Sequence, residues 1–400
     1  MAGMHNIPLG FRLNGTASGL KKNGMKDLAL FYSETPCSSA AVFTKNLVRA
    51  APVVLSEKNT GKSGTRAVIA NSGCANACTG KKGYRDAEEM CRTTASCLGI
   101  PPSGVLVAST GVIGQFLDMK KINSGIHRLC RNIRRPDKRA ACNAARAIMT
   151  TDTVEKTSCA EFGSGKRKIR IWACAKGAGM IHPDMATFLC FILTDCRIAP
   201  GPLKRILSKT VDNTFNLMSV DGVTSTNDTV FILANGLAGN RAIRPGTPEY
   251  RRFSAALEKV CSELAEKVVS DGEGATKFVR IKVRRASTRG AAEKAAKTVA
   301  VSPLVKTAMF GEDANWGRIL AGIGSCGARI DPSRVSIYFR GLCVFRKGKP
   351  AVYQESRASR ILKNRTVDLI IDLGRGKHSL TYYACDMGYG YIKINADYRT

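Results

Sequence analysis

The chain has 400 residues, 44% apolar and 23% charged, with 62 Lys and Arg against 31 Asp and Glu for a formal net charge of +31. That length holds two or three domains with a sizeable core, the composition is that of an ordinary soluble globular protein, and no uninterrupted apolar run is long enough to span a bilayer. Fifteen scattered cysteines without a CxxC pair, beside only four histidines, exclude a zinc-finger ligand set and read as reduced, mostly buried small apolar residues.

In chain order, the first eight residues lack a cationic lead and an apolar core, so no signal peptide is expected and the chain is placed in the cytoplasm. Residues 40–43, 67–70 and 105–108 are short, apolar or β-branched runs bounded by glycine or polar residues, the pattern of buried strands. Helices are expected over 87–98 and over the alanine-rich 140–149, joined by a basic, proline-containing connection at 131–138. A strand follows at 188–194. Helices then come at 202–213 and 250–269, the second with its apolar positions at Phe253, Leu257, Val260, Leu264 and Val268. Strands are expected at 279–283, 335–339, 342–345, 367–373 and 379–384. The mixture indicates an α+β protein with sheets covered by helices.

The positive charge is densest at 131–139, 277–297 and 346–365. These segments are dispersed and carry few interleaved aromatics, which argues against a nucleic-acid-binding module and for a solvated basic surface or steering of an anionic substrate. A basic nucleic-acid-binding protein is nevertheless the rival from another class.

The most informative stretch is Lys176-Gly-Ala-Gly-Met-Ile-His-Pro-Asp-Met-Ala-Thr187, which runs straight into the apolar residues 188–193. A glycine loop here delivers a hydroxyl residue to the head of a buried strand. Were the Ala186–Thr187 bond to break, Thr187 would carry an amine and a hydroxyl on adjacent carbons, a nucleophile with its own base. An unperturbed α-amine, with a pKa of about 7.7–8.0, suits that task near neutral pH.

This stretch, together with Ser109-Thr-Gly-Val-Ile-Gly114, Asp221-Gly-Val-Thr-Ser-Thr-Asn-Asp228, Gly311-Glu-Asp-Ala-Asn-Trp-Gly-Arg318 and the ending Tyr389 to Thr400, resembles the ornithine acetyltransferase (glutamate N-acetyltransferase, ArgJ) family. The resemblance runs from Pro8-Leu-Gly-Phe-Arg-Leu to the last residue. It implies a layered αββα fold shared with self-processing aminopeptidases. It also implies self-cleavage between Ala186 and Thr187 into fragments 1–186 and 187–400 that stay interlocked, two of each per assembly.

The activity so implied is a ping-pong transfer of acetyl from N-acetylornithine to Thr187 and on to glutamate, in arginine biosynthesis. Thr110 and Gly111 would hold the oxyanion. Thr153, or Thr151 if the register shifts, would meet the substrate along with Thr187, Lys176, Glu273, Asn395 and Thr400. Lys176 suits a substrate carboxylate and Glu273 the amine end of ornithine. The apolar and aromatic tail is expected to dock as a strand and segment rather than fray. No metal or organic cofactor is implied; acetyl-CoA stands open as a co-substrate. The same fold with water as acceptor, an amidase or aminopeptidase, is the nearer rival. Ala178, His182, Asp184 and Val223 depart from the family pattern and bear on cleavage rate and fine specificity.

Overall fold

The architecture turns on the strand Leu28–Phe43, whose two halves belong to different sheets. The computed structural model describes residues 7–22, 24–61, 64–133, 139–164, 167–182 and 188–397. Leu28 to Tyr32 pair antiparallel with Thr65–Cys74, while Phe11–Thr16 lies along the other side. After a register shift between Tyr32 and Cys37, Ser38 to Phe43 pair instead with Thr229–Ala234. Pro36 sits in that gap, and with no amide hydrogen it cannot continue a ladder. The strand order runs Val105–Val112, Thr65–Cys74, Leu28–Phe43, Thr229–Ala234, Leu189–Thr194, Arg167–Lys176, Lys156–Ser164.

Side-chain alternation shows that this path folds over on itself into two facing layers. Ala29, Phe31, Val68 and Leu106 from the first half share one core with Trp172, Phe191 and Phe231 from the second. Phe31 stacks on Phe191 with ring centroids 4.5 Å apart. The intervening residues Leu30, Ile69 and Val107 point outward beneath the helices Gly80–Leu98 and Met119–Asn132. On the opposite outer face Ile171, Ile192 and Ile232 pack against Pro200–Asn213 and Pro248–Ser270. The order is helix, sheet, sheet, helix, as the resemblance implied.

The helix Pro248–Ser270 is well specified. Proline occupies its first turn, Thr247 caps it by accepting the Tyr250 amide at 3.2 Å, and Phe253, Leu257, Val260, Leu264 and Val268 are its buried stripe. Each such fully buried side chain contributes roughly 1.5–3 kcal/mol. A second mixed sheet runs Lys349–Pro350, Leu342–Arg346, Ser336–Phe339, Thr366–Asp372, Phe278–Ala286, His378–Cys385, Met218–Ser219. Ala292, Ala295, Ala296 and Val299 of the helix Arg289–Val301 cover it at i, i+3, i+4 and i+7 spacing. Phe278 and Cys385 join this sheet to the core under Pro248–Ser270, so the loop after that helix lies where the two units meet.

One expectation is corrected. The tail is the helix Tyr389–Asp397, not a docked strand, and none of its residues is fully buried. Apolar and aromatic residues running almost to its end suggested a strand; in the helix the i, i+4 pair Tyr391 and Asn395 faces the cleft. All fifteen cysteines are free thiols, about half of them buried. Among the described residues no helix is long and apolar enough to cross a membrane, and no group of three His, Cys, Asp or Glu is arranged to hold a metal ion.

Candidate active site

A cleft of about 160 Å³ opens where the sandwich meets the second sheet, and its wall includes Thr110, Gly111, Thr151, Lys176, Glu273 and Asn395. Thr110 and Gly111 end the strand Val105–Val112, at the point where its parallel pairing with Thr65–Cys74 slips at Gly73 and Cys74. Gly111 has φ +129°, and a Cβ there would overlap the Gly73 carbonyl carbon and lie 2.6 Å from the Cys74 nitrogen. Only glycine permits that backbone approach. Behind the turn, Asn227 donates to the Ala75 carbonyl at 2.7 Å and the Ser109 carbonyl at 2.8 Å, fixing both strand ends.

Lys176 closes the strand Arg167–Lys176 and is 2% exposed. Its ammonium donates to Thr150 Oγ1 at 2.6 Å and to Thr110 Oγ1 at 3.3 Å. An ammonium has three donors and no acceptor. Thr110 must therefore accept from it, which leaves the Thr110 hydroxyl hydrogen free to donate into the cleft. Burial pulls the Lys176 pKa down, opposed chiefly by Asp152.

Asp152 Oδ1 takes Lys156 Nζ at 2.6 Å and the Gly177 amide at 2.7 Å. Lys156 also reaches Asp271 at 2.6 Å, completing a buried acid–base chain that runs away from the cleft. Burial raises the Asp152 carboxyl, but Lys176 and Lys156 outweigh it and hold it at about 2. Its folded pKa thus lies below the unfolded 3.8, so its stabilisation is present above that value and is lost as pH falls through about 2. That shift corresponds to about 2 kcal/mol. Asp152→Asn is expected to lose less stability than the wild type between about pH 5 and pH 2, read as urea midpoints. Equal losses would contradict the assignment.

Glu273 faces the cleft from the loop after Pro248–Ser270. Its amide donates to the Ala178 carbonyl at 2.9 Å, and its carboxylate accepts from Asn395 Nδ2 at 2.9 Å. Gly179 packs so closely on that carboxylate that any Cβ would overlap it. Asp221 lies alongside, and burial raises its carboxyl despite the amide of Met180. Tyr391 donates to Asp221 Oδ2 at 3.4 Å, and burial, then the charges of Asp221 and Glu273, push its phenol upward. The cleft therefore has a cationic end at Lys176 and an acidic end at Glu273 and Asp221.

Five residues chosen from sequence, Thr110, Gly111, Lys176, Glu273 and Asn395, line one cavity. Thr153 does not. Its amide and hydroxyl are both spent on Asp271, in a separate surface hollow, while Thr150 and Thr151 line the cleft. Sequence reading missed Thr150, Asp152 and Tyr391, and gave the Asp221–Asp228 block, which holds Asn227, no firm chemical role. Asp152 stands inside the same Thr-Thr-Asp-Thr run and Tyr391 one helical turn before Asn395, so the signal was present without a reason to weigh it. Ala186, Thr187 and Thr400 lie outside the described residues. Phe188, next in sequence after Thr187, is buried, and its amide donates to Asp228 Oδ1 at 2.9 Å.

Fold and cleft together define a layered α+β protein with a charge-polarised pocket. The ArgJ family model matches residues 12–400, and the chain belongs to that family. It is 47% identical over 402 residues to the arginine biosynthesis bifunctional protein ArgJ of Symbiobacterium thermophilum, covering 100% of this chain and 99% of the relative. A mitochondrial protein of the same name from Schizosaccharomyces japonicus is 43% identical over 408 residues, with 98% of this chain and 93% of that one covered. Among solved structures, the ArgJ protein of Bacillus halodurans aligns at 37% identity and a TM-score of 0.51, over 52% of this chain and 98% of that chain.

Proposed function

We propose that the protein is a glutamate N-acetyltransferase of arginine biosynthesis, moving acetyl from N2-acetylornithine to glutamate through an acetylated Thr187. The observation that supports this is the one cleft in which Thr110 and Gly111, a buried cation and an acidic end converge from distant parts of the chain. Family membership supplies the reaction.

Self-cleavage comes first. The Thr187 hydroxyl attacks the Ala186 carbonyl, the peptide nitrogen leaves as an amine, and water opens the ester to give fragments 1–186 and 187–400. In turnover the Thr187 hydroxyl attacks the acetyl carbonyl while its α-amine takes the proton. Thr110 O–H and Gly111 N–H stabilise the oxygen that gains charge. The C–N bond then breaks, the proton passes to the leaving amine, and ornithine departs. Glutamate's amine attacks the acetyl ester next, Thr187 recovers its hydroxyl hydrogen, and N-acetylglutamate leaves.

Two of the three Lys176 donors are taken by threonines, leaving one for a substrate carboxylate. Glu273 suits the ammonium of the ornithine side chain. Thr151 is the threonine that contacts substrate in this reading, and Thr400 reaches it from the tail. The chemistry requires no metal or organic cofactor, and acetyl-CoA serves as an additional donor if the bifunctional name of the relatives extends to this chain. The working form is an assembly of two copies of each fragment, in the cytoplasm.

Thr110→Ala is expected to lower kcat by about 10²–10³ with KM little changed, because the lost donor acts on charge that develops in the transition state. Steady-state kinetics with acetylornithine and glutamate measure this; an unchanged kcat removes Thr110 from the oxyanion site. The hydrolytic rival is separated in the same assay, since it releases acetate in place of acetylglutamate.

A further inference from the structure

We infer that the segment from Ser219 to Thr229 is the positioning device for self-cleavage, with Asp221 and Asp228 pinning the backbone on either side of the scissile bond. The inference rests on the proposed self-cleavage at Thr187; it gives Asp221, which also forms part of the acidic end of the cleft, a second task, and gives Asp228 its only one.

On the upstream side, Asp221 accepts the Met180 amide at 2.5 Å through Oδ2 and the Ile181 amide at 2.9 Å through Oδ1. The Ile181 carbonyl in turn accepts the Val220 amide at 2.8 Å and Ser219 Oγ at 3.0 Å. Met180 has φ +58°, a left-handed conformation uncommon for a side chain of this kind, so it persists only where its surroundings fix it. Asp221 supplies that fixing by taking the amides of Met180 and of the residue after it.

Downstream, Asp228 Oδ1 accepts the Phe188 amide at 2.9 Å, and the Phe188 carbonyl accepts the Thr229 amide at 3.0 Å. The Phe188 ring is wedged against Phe215 with centroids 4.3 Å apart. Asp228 is fully buried, and its Oδ2 has no hydrogen-bond partner among the described residues. Burying a carboxyl is costly, and the Phe188 amide is foremost among the groups that offset that cost here, ahead of the Lys176 charge and Thr44.

Only residues 182–187 separate the two pinned positions, and Ala186–Thr187 lies among them. Attack of a hydroxyl on the carbonyl of the preceding residue requires the backbone to hold a narrow range of geometry. A misplacement of about 1 Å costs on the order of 10²-fold in rate. One segment that grips both flanks fixes their separation, which neither flank does alone. Asp221 and Asp228 are thus positioning residues that act through Met180, Ile181 and Phe188.

The test follows cleavage of full-length chains synthesised in a cell-free system, sampled over time on denaturing gels. Asp228→Ala and Asp221→Ala are each expected to slow appearance of the two fragments by about 10²-fold. Asp228→Asn keeps an oxygen acceptor for the Phe188 amide and should restore cleavage to within about tenfold of wild type, a rescue that loss of packing alone would not give. Folding is checked by circular dichroism of the same substitutions in a Thr187→Ala background. Should Asp228→Ala fail to fold, Asp221→Ala and Asp228→Asn decide the outcome. Cleavage of both alanine variants at the wild-type rate, or an asparagine variant as slow as the alanine one, overturns the inference. A wild-type chain that never cleaves overturns the self-cleavage reading as well, so the two failures are distinct.

Discussion

Thr187→Ala should yield one uncleaved chain without measurable acetyl transfer. The substitution removes two functions together. No hydroxyl remains to attack the Ala186 carbonyl, so the α-amine that would serve as base is never released. Losing a nucleophile that works as a unit with its base costs on the order of 10⁶ in kcat, far beyond the effect of any single supporting residue. The fold should survive, because the strand Leu189–Thr194 is held by pairing on both sides, to Arg167–Lys176 and to Thr229–Ala234. Gel analysis and an acetylglutamate assay on the purified variant check both halves. Efficient cleavage of the Thr187→Ala chain contradicts the assignment of the nucleophile.

Lys176→Met has the next largest expected effect. Methionine fills nearly the same volume without the ammonium, so Thr110 and Thr150 lose their common donor. Thr110 is then free to turn its hydroxyl hydrogen away from the cleft, and a substrate carboxylate loses its countercharge. Together these predict a fall in kcat/KM of on the order of 10³ or more. Asp152 keeps Lys156 and the Gly177 amide, so the variant should remain folded. If Lys176 acts partly through Thr110, the double variant with Thr110→Ala should lose less than the product of the two single losses. A strictly multiplicative loss would show that the two residues work independently.

The strands around residues 67–70 and 105–108 were legible because β-branched runs between glycines leave few alternatives. The stripe of Pro248–Ser270 was legible for the same kind of reason, since five apolar positions at helical spacing admit one face. The site's main parts were legible through motif resemblance. Local pattern would not have linked Thr110 to Lys176 or Glu273 to Asn395, because contacts between distant segments leave no periodicity.

Four features were hidden from local pattern for identifiable reasons. The hairpin Lys156–Ser164 and Arg167–Lys176 carries charges at its far end that mask the alternation of its buried half. The layered sandwich depends on Leu28–Phe43 bending at Pro36, and only residues 40–43 of it announce a strand. Thr153 and Thr151 stand two positions apart in one run, where a turn rather than a regular element decides which hydroxyl faces the cleft. The Asp152–Lys156–Asp271 chain is likewise a tertiary event, and its members read as ordinary surface charges in sequence.

A protein whose catalysis needs a freed threonine amine must exist, when active, as two polypeptides. N-terminal sequencing of the smaller products from a denaturing gel of active wild-type enzyme tests this most directly. The account predicts a fragment that begins Thr187, Phe188, Leu189, Cys190. Full acetyl transfer by a preparation containing only the uncut chain would contradict it.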